Sequence, residues 1–345
     1  MTPEQLSGYL LEEALAYLIR SSGYKLIVEP NGEPNLRTKG NGLQVRGRGG
    51  WHQADTLGRL AIIPAFTFPM RLFIEAKYNA SNPVGVGIVR NAVGTIFDLN
   101  TTGLSFSDGN PLPYNYRYEY ALFSASGFNQ EAIELALAHG ISLVDMNTSE
   151  YRPLLDVIHQ TAASIVSLSG HQYSLGQVRS ILRNRLETSE LRMEHQNHSS
   201  YLDIWGELDE LVRAIHTYDK LYIGTVNAPF MLLLKADVPQ SFEDFSLRQE
   251  GVEHLVEIHW DTEDENGEKW TINPENNSSA YRLSFKVPKA LYRWIFTKEA
   301  VQIERARDAK KRYLSEICVY LHNEGVDKVI KLKLSETFIN SLATS

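Results

Sequence analysis

The chain has 345 residues and a formal net charge of −8, with 43% hydrophobic and 22% charged residues. That length exceeds the usual single domain and predicts two, each able to bury its own core. A single cysteine, Cys318, excludes an intrachain disulfide and a cysteine-rich zinc site, and no apolar run approaches the ~20 residues of a membrane helix.

The opening Met1-Thr-Pro-Glu-Gln-Leu-Ser7 lacks the basic and apolar regions of a signal peptide, so a cytoplasmic protein is expected. Thr2 followed by Pro3 and Gln5 reads as the capped start of a helix, with Leu6, Leu10, Ala14 and Leu18 as its apolar stripe and Leu11, Leu15 and Ile19 widening it. Glu12 lies off the centre of that stripe. Gly8 and Ala16, one helical turn away on either side, leave it room to reach a cation or a water, though a solvated surface glutamate fits the same pattern. Gly23 ends the helix before a strand at Tyr24–Val28, and Asn31–Gly42 reads as a turn-rich loop leading to Leu43–Gly50 and Trp51–Asp55.

After Asp55, Thr56–Arg59 reads as a turn, and Leu60–Phe66 as an edge strand limited by Pro64. Pro69 breaks the chain before a β-patterned run, Arg71–Tyr78. Alternation in that strand puts Phe73, Glu75 and Lys77 on one face and Leu72, Ile74 and Ala76 on the other. A carboxylate and an ammonium thus stand side by side, and one hairpin carries Asp55 to the adjoining strand. Two carboxylates with a lysine can hold a divalent cation and position a water for attack on a phosphodiester.

Helical periodicity follows at Val84–Leu99, then a buried-type strand at Tyr118–Ser124, a helix at Asn129–His139 and a strand at Ile141–Met146. The alternation predicts the α/β class, a mixed sheet flanked by helices. The polar stretch Asn147–Pro153 marks a boundary. Three helices are expected beyond it, at Tyr151–Leu168, Ser174–Arg192 and Tyr201–His216, and together they form a helical connector over 151–219. From 220 to 345 a β-rich module is expected, with strands at Leu221–Val226, Phe230–Lys235, Val252–Trp260, Lys269–Ile272 and Tyr281–Val287. Helices at Ala290–Phe296 and Lys298–Arg312 and a hairpin around Asn323–Gly325 complete it, with no catalytic constellation in sight. His195 and His198 have metal-site spacing but lie in a polar stretch without further ligands.

The acidic total argues against a dedicated nucleic-acid binder, yet charge is unevenly distributed. Between Glu33 and Arg90 stand eight basic residues, Arg37, Lys39, Arg46, Arg48, Arg59, Arg71, Lys77 and Arg90, against three acids. A basic window around the proposed metal site suggests a phosphate-facing surface, with chance clustering on a solvated face as the alternative.

Residues 1–147 as a whole resemble the restriction-endonuclease-like, or PD-(D/E)xK, nucleases, and among them the Mrr-like restriction endonucleases. The matching stretches are Leu11-Glu-Glu with Ser22-Gly-Tyr24, Gly47-Arg-Gly with His52-Gln-Ala-Asp55, Ile74-Glu-Ala-Lys77, Val89–Gly94, Phe123–Asn129 with Glu131-Ala132, and Ile141–Asp145. The resemblance implies a nuclease domain over 1–150 and a Mg²⁺-dependent DNA endonuclease of restriction or antiviral defence, with Mn²⁺ as a possible substitute ion. Asp55 and Glu75 match the metal carboxylates, the backbone carbonyl of Ala76 a further oxygen ligand, Lys77 the residue that orients the attacking water, and Glu12 the helix glutamate near the ion. No proline precedes Asp55, and the gap from Asp55 to Glu75 is longer than in compact members of the family.

DNA is the implied partner, and cutting both strands would favour a homodimer; a defence-system partner protein is the other candidate. Candidate nucleic-acid contacts are Arg46 and Arg48 in the glycine-rich Arg46–Gly50, which also fits a simple hairpin turn, together with His52 and Gln53. His52 equally suits a second base near the metal or a hydrogen-bonded structural histidine. Arg90 suits DNA-backbone contact or helix-surface packing. Rival readings are a non-catalytic nucleic-acid-binding or sensing protein, and a nuclease for RNA or for repair and recombination junctions.

Overall fold

The computed structural model describes residues 1–40, 42–61, 68–79, 82–101, 116–148, 151–168, 173–188, 202–218, 221–226, 231–248, 251–260, 269–287, 302–323 and 326–341. The described chain is mixed α/β, with two open sheets and a closed β-barrel. Contacts divide it into a first unit of Met1–Arg20, Tyr24–Leu135 and Leu143–Asp219, and a second of Ser21–Gly23, Ala136–Ser142 and Lys220–Ser345.

In the first unit, α1 (Pro3–Ser21) starts at a reciprocal cap: the Thr2 N–H donates to the Gln5 side chain at 3.0 Å and the Gln5 N–H to the Thr2 hydroxyl at 3.3 Å. Its stripe of Leu6, Leu10, Leu11, Ala14 and Leu15 is fully buried. A five-stranded sheet runs in the order β1-β5-β6-β7-β8, from β1 (Tyr24–Leu26), β5 (Thr56–Leu60), β6 (Met70–Lys77), β7 (Arg117–Ser124) and β8 (Ser142–Asp145). β5 is antiparallel to β1 and β6, while β6 and β7 are parallel and joined by way of α2 (Val86–Asn100). A second, antiparallel sheet orders β2 (Leu36–Lys39), β3 (Gly42–Arg46) and β4 (Trp51–Ala54).

Two sequence expectations are corrected here. Thr56–Leu60 is a strand, not a turn; Gly58 permits close approach, since a Cβ there would lie 3.0 Å from the Tyr24 Cβ on β1. The loop expected over Asn31–Gly42 contains β2, hidden because Leu36 is the only buried residue in its Leu-Arg-Thr-Lys run. Six strands therefore precede α2 where three or four were expected. The strand expected at Leu60–Phe66 lies, from residue 62 onward, outside the described residues.

α3 (Gln130–His139) follows β7. The helices α4 (Arg152–Ser167), α5 (Leu175–Arg185) and α6 (Leu202–His216) group with this first unit. α4 buries Leu154, Leu155, Ile158, Ala162 and Ile165, and α6 buries Ile204, Leu208, Leu211 and Ile215, the spacing of two helices packed face to face. Ser174 and Gln177 cap α5 reciprocally.

The second unit is a closed seven-stranded barrel. Its members are β9 (Leu221–Val226), β10 (Met231–Ala236), β11 (Glu253–Trp260), β12 (Lys269–Pro274), β13 (Leu283–Lys286), β14 (Glu316–Asn323) and β15 (Val326–Leu334). Pairing of β9 with both β10 and β14 closes it, and alternate residues such as Leu232, Leu234, Ile258, Trp270, Ile272, Phe285, Ile317 and Leu332 fill the core. The sequence shows these strands but not α7 (Pro239–Arg248), whose Phe242 packs edge-on against Tyr222 and Tyr281. α8 (Gln302–Tyr313) and α9 (Glu336–Ser341) complete the described elements; the helix expected at Ala290–Phe296 lies outside them.

Candidate active site

β5 and β6 are the two arms of one hairpin, and the separation of Asp55 from Glu75 in sequence is the length of that hairpin. Thr56 pairs with Ile74, and the Asp55 N–H donates to the Ile74 carbonyl at 3.1 Å, so Asp55 stands opposite Glu75. The Asp55 Oδ2 accepts the Ala76 N–H at 2.8 Å, leaving Oδ1 outside this bond. Because a strand residue turns its N–H and C=O to the same edge, the Ala76 carbonyl faces the Asp55 side as well. The next residue turns the other way: the Lys77 carbonyl accepts the Ala125 N–H at 3.0 Å beyond β7.

Lys77 Nζ lies 2.5 Å from Glu75 Oε1, as two residues apart on one strand face require. The Tyr120 hydroxyl on β7 donates to Glu75 Oε2, and its ring stacks on Phe73 at 5.1 Å between centroids. Burial and the neighbouring Glu75 push the Tyr120 phenol far up, so it stays a proton donor. Burial also raises the Asp55 carboxyl and Glu75 adds to the rise, against the Ala76 N–H and Lys77.

α1 brings Glu12 into this field. Its carboxyl is pushed up to about 8, by burial first and then by Asp55, with Arg179 opposing. Arg179 on α5 reaches Glu12 Oε2 at 3.0 Å and donates from Nε to Glu13 Oε1 at 2.6 Å, while Arg183, one turn on, donates from Nε to Glu13 Oε2 at 2.7 Å. Glu13 is only 1% exposed, so two guanidinium groups hold one buried carboxylate. Glu12, Glu13, Asp55, Arg179 and Arg183 line a cleft of about 490 Å³.

Glu12 is legible in the sequence but its cation is not, because Arg179 is remote in the chain, as are Arg183 and Tyr120 from the carboxylates they hold. The one local signal was an arginine pair at i and i+4 amid the buried Val178, Ile181 and Leu182.

The candidate nucleic-acid residues separate. Arg46 and Gln53 share one face of the β2-β3-β4 sheet, and His52 is on the other. There His52 Nε2 lies 2.6 Å from Asp98 Oδ2 on α2, while Asp98 Oδ1 accepts the Gly49 N–H at 2.6 Å and the Asp98 carbonyl accepts the Arg48 N–H at 3.2 Å. A Cβ at Gly47 would come 2.0 Å from Asp98 Oδ2, so glycine at this position lets the carboxylate close against the turn. His52 is thus hydrogen-bonded to Asp98, the setting that a structural histidine has.

Arg48 and Arg90 are exposed, and no contact among the described residues joins either to Asp55 or Glu75. Arg71, counted in the basic window, is fully buried between Glu33, the Tyr118 hydroxyl at 3.2 Å and the Tyr116 ring at 3.4 Å, and so leaves the basic surface. His195 and His198 lie outside the described residues.

Among the described residues, no group of three or more His, Cys, Asp or Glu side chains is arranged to hold a metal ion. The oxygens this stretch of hairpin offers are fewer: Asp55 Oδ1, the Glu75 carboxylate and the Ala76 carbonyl. That chemistry suits a hard cation such as Mg²⁺, which keeps several waters and takes one or two carboxylates. Among the described residues, no helix is long and apolar enough to cross a membrane.

No protein-family model and no curated protein matches the chain. The crystal structure of a protein of unknown function, AF1548, is similar with a TM-score of 0.37 and 15% identity, over 61% of this chain and 98% of that one, a likeness too distant to carry an assignment.

Proposed function

We propose that the first unit is a divalent-metal-dependent nuclease of the restriction-endonuclease-like, Mrr-like kind, hydrolysing DNA phosphodiester bonds in restriction or antiviral defence. One observation carries this reading: the hairpin register sets Asp55 opposite Glu75, with Lys77 beside Glu75 on the same strand face. Burial first, and Asp55 after it, raise the Glu12 carboxyl, and a cation between such neighbours would relieve their repulsion.

Asp55, Glu75 and the Ala76 carbonyl would hold the ion, Mg²⁺ or Mn²⁺. A bound divalent cation supplies Lewis acidity to a phosphoryl oxygen and acidifies water near neutral pH. The Ala76 N–H fixes the rotamer of Asp55, and the Tyr120 hydroxyl fixes Glu75. Lys77 orients the attacking water through its ammonium and donates to phosphoryl oxygens as negative charge builds on them. Glu12, held by Arg179, faces a cleft that Asp55 also lines.

A non-catalytic nucleic-acid-binding role has one observation in its favour: Glu75 already has Lys77 on one oxygen and Tyr120 on the other, and Glu12 is paired with Arg179. Cleavage of supercoiled plasmid, single-stranded DNA and RNA with and without Mg²⁺ tests the proposal. Mg²⁺-dependent conversion of plasmid by the wild-type chain but not by Asp55→Ala supports it. Equal cleavage by both proteins, or none by either, removes it.

A further inference from the structure

The three-stranded sheet β2-β3-β4 runs directly into Asp55, and its two faces differ in kind. Register puts Arg37 opposite Gln44, Gln44 opposite Gln53, Lys39 opposite Gly42 and Arg46 opposite Trp51. Arg37, Lys39, Gln44, Arg46, Trp51 and Gln53 therefore share one face. The opposite face carries Leu36, Leu43, Val45 and Ala54, all buried. Between Leu36 and Ala54 there is no aspartate or glutamate, in a chain whose net charge is −8. Among the described residues no carboxylate pairs with Arg37, Lys39 or Arg46.

The two arginines are ordered on one ring. The Arg37 guanidinium lies 4.1 Å from the Trp51 ring centroid and that of Arg46 lies 5.5 Å from it. Arg37 Nε donates to Gln44 Oε1 at 2.8 Å, which fixes the plane of the group and leaves its terminal nitrogens for an outside acceptor. Stacked guanidinium groups present planar forks that match phosphate oxygens, and little of their side-chain freedom remains to be lost on binding. With its ring covered by arginines, Trp51 is a poor platform for a base and a good one for holding cations.

We propose that this sheet face docks the phosphodiester backbone of the substrate, with Arg37 and Arg46 on Trp51 gripping phosphates. The inference rests on the nuclease reading and adds Arg37, Lys39 and Trp51 to the substrate contacts.

The test is fluorescence anisotropy of a short labelled DNA duplex with the full chain carrying Asp55→Asn, in the absence of divalent ions, across a KCl series. Arg37→Gln with Arg46→Gln is expected to weaken binding at least about tenfold and to reduce the log–log salt slope by about 2. Trp51→Leu, which keeps both charges, is expected to weaken binding with little change of slope. Unchanged affinity and slope in the double arginine variant overturns the proposal. So does loss of binding to phosphatidylserine vesicles in that variant while duplex binding persists.

Mg²⁺ calorimetry on the arginine variants in the native Asp55 background separates the two readings. Duplex binding that depends on this face in a chain that takes up no Mg²⁺ defeats the nuclease reading alone. Mg²⁺ uptake with duplex binding indifferent to the face defeats this inference alone.

Discussion

The barrel and the cleft of the first unit both bury ionisable groups, and they settle the electrostatic cost in opposite ways. Among the described residues of the barrel, neither His254 nor Lys310 has a carboxylate partner. His254, 3% exposed, shares Nδ1 with the Tyr281 hydroxyl at 3.1 Å, and burial pushes it down to about 4. Lys310, on α8, sits over the rings of Trp270 and Phe338 at 5.4 and 5.1 Å and is lowered to about 8 by burial. In the first unit the groups are paired: Arg179 meets Glu12 and Glu13, Arg183 meets Glu13, and Lys77 meets Glu75. Keeping so many charges together beside a cleft carries a cost in desolvation, and the proposed nuclease chemistry would put those charges to use.

The contrast breaks most sharply by removing cleft charges. Asp55→Ala, Glu75→Ala and Lys77→Ala are each expected to lower Mg²⁺-dependent cleavage by at least about 10³-fold in single-turnover assays, with circular dichroism unchanged. Loss of secondary structure in step with activity would instead make the cluster a stability element.

Acidity gives the next largest effect, with opposite signs in the two units. An unfolded histidine takes up its proton near 6.5 but folded His254 only near about 4, so its contribution is complete above 6.5 and is lost as pH falls through that window. Folded Glu12 keeps its proton up to about 8 while the unfolded carboxyl releases it near 4.5, so its contribution is present below 4.5 and is lost as pH rises. At about 1.4 kcal/mol per pH unit, these windows amount to at most roughly 3 and 5 kcal/mol. Hydrogen exchange, corrected for its intrinsic pH dependence, should show β11 and β12 losing protection on acidification while α1 gains it. Glu12→Gln should abolish the gain in α1, and parallel changes in the two units would contradict the contrast.

Much of this was legible in the sequence where a period or a cap carries the information. Glu75 and Lys77 share a face because strands alternate, and the α1 cap follows from Thr2 and Gln5. What was not legible depends on register or on distant chain. Thr56–Arg59, which reads as a turn, is strand, and its Gly58 marks close approach to Tyr24. His52 could be assigned only once Asp98 was seen against it. Arg179 and Arg183 lie in helices that read as a connector, and no local pattern ties them to Glu13. In the barrel, alternation revealed the strands, while α7 stayed hidden because its buried face is small, Phe242, Glu243 and Ser246.

Two smaller substitutions sharpen the contrast. Ser174→Ala removes the cap of α5, the helix that carries Arg179 and Arg183, and is expected to destabilise the first unit by about 1 kcal/mol in urea unfolding. Lys310→Met removes a buried cation and is expected to stabilise the barrel by about 1 kcal/mol at neutral pH while leaving cleavage unchanged. The Lys310 gain should shrink from pH 8 toward 10.5, because the folded lysine is lowered and the unfolded one is not.

Isothermal titration calorimetry with Mg²⁺ and Mn²⁺ addresses the convergence of Asp55 and Glu75 on one ion without relying on any choice of substrate. Saturable binding of one ion per chain, abolished in Asp55→Ala and in Glu75→Ala and retained in Lys310→Met, is the expected result. Binding of equal strength and stoichiometry in wild type and Asp55→Ala would contradict it.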